Sequence, residues 1–92
     1  MYTSAPAQFS KTLRRALDRV AFLEGKTSQM IFDEIGYAMG RSGGSPLQYW
    51  VYHKKAPSRL EDIEALARIL TQRKGWEKES DLSAFLHLAG HP

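Results

Sequence analysis

Apolar residues recur along this chain at spacings of three and four, and no segment of useful length alternates as a strand would, so the pattern predicts helices and no sheet. Phe9, Leu13, Ala16, Leu17, Val20 and Leu23 form one stripe after Pro6, a residue suited to a first helical turn. Lys11, Arg14, Arg15, Asp18 and Arg19 fall largely on the opposite side, and Gly25 stands where a helix over 6–24 would end. A second helix is expected over 28–39, capped by Thr27 or Ser28, with Ile31, Ile35, Ala38 and Met39 inward, Phe32 beside them and Gly40 closing it. Gly36 inside that helix costs about 1 kcal/mol relative to alanine, which points either to the close approach of another backbone or to an accident of packing.

The run Arg41 to Ser45 contains two adjacent glycines and reads as a turn, and Ser45-Pro46 reads as an N-cap followed by proline at the first helical position. Leu47, Trp50 and Val51 give one apolar face to a helix over 46–53, leaving Gln48, Tyr49 and Tyr52 pointing elsewhere. Pro57 stops this segment. Ser58-Arg59-Leu60-Glu61 then has the form of a capping box, in which Ser58 caps the Glu61 amide and Glu61 reaches back. It opens a fourth helix over 58–72 with Ile63, Leu66, Ala67 and Leu70 inward. After a polar link around Gly75, where Trp76 plugs the core, Ser80 or Asp81 caps a last helix over 80–89, with Leu82, Phe85, Leu86 and Ala89 inward and Gly90 at its end. With no internal repeat, the expected architecture is all-α, a compact bundle of about five helices forming one domain over 1–92.

Ninety-two residues suffice for one real core, and an apolar fraction of 42% with a charged fraction of 25% is that of an ordinary globular chain. No apolar run approaches the roughly 18 residues of a membrane helix, and the N-terminus lacks the pattern of a signal peptide, so the cytoplasm is the expected location. The absence of cysteine excludes disulfides, thiolate metal sites and cysteine nucleophiles. The net charge of +3 leans only weakly toward anionic partners. Its distribution says more. Residues 1–34 carry five Lys/Arg against four Asp/Glu, residues 35–60 carry four against none, and residues 61–92 carry four against six. The acid-free window is centred on the predicted turn and third helix.

Other candidate chemistry is sparse. His87 and His91 have the i, i+4 spacing of two helical metal ligands, but Gly90 intervenes and no third ligand is near, so no metal is expected. Glu77, Glu79 and Asp81 around Lys78 read as a solvated cap rather than paired catalytic carboxylates. Gly40, Gly43 and Gly44 lack both the spacing and the following Lys-Ser/Thr of a phosphate-binding loop. Neither a cofactor nor an enzymatic activity is expected.

Three stretches resemble the phage-repressor-like helix-turn-helix domains of the Cro/repressor or xenobiotic-response-element type. Leu47-Gln48-Tyr49-Trp50-Val51-Tyr52-His53-Lys54-Lys55-Ala56-Pro57 resembles the end of that family's recognition helix with its basic run and proline. Ser58 to Leu70, with Leu60, Ile63, Leu66, Ala67 and Leu70, is similar to the fourth helix, and Leu82 to Pro92 resembles the closing segment of many members. With Phe9-x-x-x-Leu13-Arg14-Arg15 at the start, the likeness covers most of the chain. The chain departs from the family in its longer first two helices, in about one extra turn residue before helix three, and at Val51-Tyr52-His53, where members carry Glu-Asn-Gly. Gly44 falls where members often place a base-reading side chain, which argues against strong sequence specificity.

The resemblance implies double-stranded DNA as partner, a role as bacterial or phage transcriptional regulator, and helix 46–53 in the major groove. Ser45, Gln48 and Tyr49 would then meet base edges, glutamine suiting adenine and tyrosine a thymine methyl or a phosphate. Gln29, Arg41, Tyr52, Lys54, Lys55 and Arg59 would meet phosphates, joined by Thr27 and Ser28 at the start of helix two. About four neutralised phosphates would give a slope of roughly −3.6 in log K against log salt. A monomer would bind weakly on that basis, and family members commonly form homodimers on near-palindromic sites. The alternative is a helix-turn-helix fold that has lost DNA binding and docks another protein on Tyr49, Val51 and Tyr52. A catalytic role would have to involve His53.

Overall fold

All five expected helices form within two residues of their predicted bounds in a computed structural model that describes residues 5–89: α1 (Ala5–Glu24), α2 (Ser28–Ala38), α3 (Ser45–Tyr52), α4 (Leu60–Gln72) and α5 (Glu79–Leu88). No strand occurs among the described residues. The predicted stop at Gly90 and the His91 half of the histidine pair lie outside them.

The stripe on α1 makes it the central helix, packed against each of the other four. Phe9, Leu13, Leu17 and Val20 are fully buried there with Ile31 and Ile35 of α2, Leu47 of α3, Leu66 and Leu70 of α4 and Phe85 of α5. Fully burying one such side chain stabilises the fold by about 1.5–3 kcal/mol. Two predicted inward residues differ. Leu23, in the last turn of α1, and Ala38, the last residue of α2, extend past the core and are exposed, while Ala21 is buried. Trp76 does plug the far end: its ring centroid lies 5.1 Å from that of Phe85, and its indole Nε1 donates to Thr71 Oγ1 at 2.8 Å. Phe85 in turn meets Phe9 at 4.9 Å. The radius of gyration is 12.0 Å, close to the value of about 12 Å for a compact chain of this length.

The caps divide into those set by local sequence and those set by tertiary partners. Thr27 caps α2, its Oγ1 accepting from the Met30 amide at 3.1 Å. At α3 the N-cap is Gly44 rather than Ser45, because the Gly44 amide is held by Asp33 Oδ1 on α2 at 2.9 Å, which pulls Ser45 into the first turn. At α4 the predicted capping box does not form. Arg59 takes the N-cap position, Glu61 pairs with Arg59, and Asp62 at N3 turns to Arg41. The last helix is capped from within, since Asp81 accepts from the Glu77 and Lys78 amides at 3.0 and 3.1 Å and neither it nor Ser80 occupies the N-cap position.

Candidate nucleic-acid interface

Between α2 and α3 the backbone is drawn in by glycines. A β-carbon at Gly36 would stand 1.9 Å from the Gly43 carbonyl oxygen, so the close approach expected of Gly36 is made to the following turn. Gly44 is buried, and a β-carbon there would come within 2.8 Å of Asp33 Oδ1 and of Phe32. Its glycine is therefore required by packing against α2. A side chain at this position would have no route to a base.

Docked in this way, α3 turns Leu47, Trp50 and Val51 into the core and leaves Ser45 and Tyr49 exposed, with Gln48 half-buried beside them. Gln48 Nε2 donates to Gln29 Oε1 at 2.7 Å, and Gln29 Nε2 donates to Asp33 Oδ1 at 3.1 Å. Asp33, already anchoring Gly44, thus fixes the Gln29 amide, and Gln29 fixes that of Gln48. Val51 is buried and offers nothing to a protein partner.

The C-terminal end of α3 is basic and aromatic. Tyr49 stacks on His53 with ring centroids 5.0 Å apart and an interplanar angle of 28°. Lys54 and Lys55 are exposed and make no ion pair or hydrogen bond among the described residues. Tyr52 is not free: the Arg14 guanidinium of α1 lies over its ring, 5.3 Å from the centroid, and Phe32 approaches at 6.2 Å. Arg14 also pairs with Asp18 at 3.2 Å, and Asp18 Oδ1 accepts from the Ser28 hydroxyl at 3.1 Å.

The other two predicted phosphate contacts are already paired. Arg41 makes a bidentate contact to Asp62 at 2.8 and 3.0 Å, and Arg59 meets Glu61 at 3.0 Å. The acid-free window in the sequence is therefore partly neutralised in space by the start of α4, while Lys54 and Lys55 keep their charge. Arg14 and Asp18 were missing from the sequence-derived site. Their i, i+4 spacing announces an ion pair, but only the fold brings it to Tyr52 and Ser28.

Away from this face, Glu24 at the end of α1, Lys26, Glu34 on α2 and Arg73 after α4 form one ionic cluster. Hydrogen bonding to Arg73 holds the Glu24 carboxyl down to about 2 from an ordinary 4.5. The same partner lowers Glu34, while Glu34 and Glu24 raise Lys26. Among the described residues no group of three His, Asp or Glu side chains could hold a metal ion, and no helix is long and apolar enough to cross a membrane. No protein-family profile matches the chain, and no curated protein or solved structure is significantly similar to it.

Proposed function

We propose that the protein binds double-stranded DNA through a helix-turn-helix made of α2 and α3, with α3 in the major groove, as a phage-repressor-like transcriptional regulator. The observation that carries this reading is the fixed amide of Gln48. One of its two Nε2 hydrogens goes to Gln29. The second hydrogen and Oε1 remain, and together they match the N7 acceptor and N6 donor of adenine. A bidentate contact of this kind discriminates by about 1–3 kcal/mol. Ser45 and Tyr49 flank it on the exposed side, and Gln29 keeps one Nε2 hydrogen for a phosphate.

Lys54 and Lys55 supply the unpaired charge. Two phosphates neutralised give a slope of about −1.8 in log K against log salt, and each further contact adds about −0.9. So small a charge per protomer favours two copies on a near-palindromic site. The test is fluorescence anisotropy with a random-sequence duplex over a range of salt concentrations. Binding should weaken with at least the slope of two phosphates, and Gln48→Ala with Lys54→Ala should weaken it further. Duplex binding unchanged by that double substitution would overturn the reading.

A second reading, docking of another protein, draws on Tyr49 and Tyr52, whose relative exposures are 50% and 56%. Apolar docking is not screened as phosphate contacts are. A partner held without salt dependence would select it.

A further inference from the structure

We infer that Arg14 is a further phosphate contact of this face and that Asp18 holds it in reserve, so that one carboxylate limits binding to DNA of any sequence; the inference rests on the DNA-binding reading. Arg14 belongs to α1, outside the two helices that carry the proposed contacts. Its guanidinium nevertheless lies over the ring of Tyr52, the last residue of α3, immediately before the segment that carries Lys54 and Lys55. Only its Nε is engaged, donating to the two Asp18 oxygens at 3.3 and 3.2 Å. Both terminal nitrogens have no acceptor among the described residues. They form the planar fork that suits a phosphate in a bidentate contact.

Asp18 sits between the two halves of the proposed phosphate-binding surface. On one side it neutralises Arg14 beside the end of α3. On the other, its Oδ1 accepts from the hydroxyl of Ser28, the first residue of α2, where unpaired backbone amides favour an anion. A phosphate docking there meets a carboxylate that repels it and occupies two of the groups it would use. Arg14 and Asp18 are both well exposed, with side-chain exposures of 42% and 48%, and exposed ion pairs of this kind hold weakly. A phosphate therefore displaces Asp18 from Arg14 at little cost once base contacts have fixed the protomer's register. Repulsion by Asp18 acts on every duplex alike, whereas the Gln48 contact is made only at the right base.

The experiment compares the full chain with Arg14→Gln, Asp18→Asn and the double variant on a random-sequence duplex across salt concentrations, with thermal melts to verify folding. Arg14→Gln should weaken binding about eight-fold at about 0.1 M salt and flatten the salt slope by about 0.9. Asp18→Asn should tighten binding by about three- to ten-fold with little change in slope, because the one phosphate contact of Arg14 already counts in the wild-type slope. The double variant should bind more tightly than Arg14→Gln, through the freed Ser28 hydroxyl, but fall short of Asp18→Asn. Wild-type binding with a clear salt slope that neither substitution changes would overturn the inference and leave the DNA reading intact. So would tightening by Asp18→Asn that is just as large without Arg14. A wild-type chain that binds no duplex even at low salt would overturn both.

Discussion

Four of the helices are followed by a residue with positive φ: Gly25 at 67° after α1, Gly40 at 82° after α2, Lys54 at 55° after α3 and Lys74 at 62° after α4. Glycine adopts this conformation freely, whereas a β-carbon makes it cost about 1 kcal/mol. The two lysines thus occupy positions where glycine would suit the backbone better. Lys74 is exposed, and its carbonyl accepts from Arg19 Nε at 3.2 Å, a bond that glycine would keep. Lys54 stands at the end of the proposed recognition helix, where the resemblance would place a glycine at the neighbouring position. Lys74→Gly should raise stability by about 1 kcal/mol in urea unfolding and leave duplex affinity alone. Lys54→Gly should raise stability similarly and weaken duplex binding about eight-fold at about 0.1 M salt. Equal affinities for the two variants would mean that the strained conformation at Lys54 serves no phosphate contact.

At the level of elements, the helices were legible because each buries one stripe against α1, and a stripe is visible in sequence as spacing. The caps of α3 and α4 were not legible, because their partners come from elsewhere in the chain, while that of α5 is local but is made by Asp81 at N3 rather than from the N-cap position. Asp33 reaches the Gly44 amide across 11 positions, and Arg41 draws Asp62 from 21 positions away. The site divides in the same way. Register alone places Gln48 on the open side of α3, but its fixation by Gln29, 19 positions earlier, depends on the packing of α2 against α3. That packing rests on glycine at Gly36 and Gly44, and of these only Gly36 pointed in sequence to a close approach of backbone. The contrast with Gly43 is testable. Gly36→Ala drives a β-carbon into the Gly43 carbonyl and should destabilise by about 3 kcal/mol or more. Gly44→Ala meets Asp33 and Phe32 and should also destabilise, whereas Gly43→Ala meets only Asp33 Oδ1 at 3.8 Å, an ordinary contact, and should be close to neutral. Chemical unfolding of the three variants separates a turn that needs glycine for space from one that merely contains it.

Across the whole molecule, the ionic cluster of Glu24, Lys26, Glu34 and Arg73 ties the end of α1 to α2 and to the end of α4. Its pH dependence follows from which state holds its protons. Glu24 titrates near 4.5 when unfolded and near 2 when folded, and Glu34 is lowered in the same direction. Between those values the unfolded chain binds more protons than the folded one, so acid favours unfolding there. The contribution of the carboxylates is complete above about pH 5 and is lost as the pH falls toward about 2. Lys26 and Arg73 are raised above their ordinary values, so their part is present at neutral pH and disappears only in strong alkali. Arg73→Gln removes the principal partner of both glutamates. Its melting temperature should lie below that of the wild type by a constant amount between pH 6 and 8, and the gap should narrow steadily as the pH falls from about 5 to about 2. A gap that stays constant through the acid range would mean that Arg73 stabilises the bundle by packing its alkyl chain and that its charge contributes nothing.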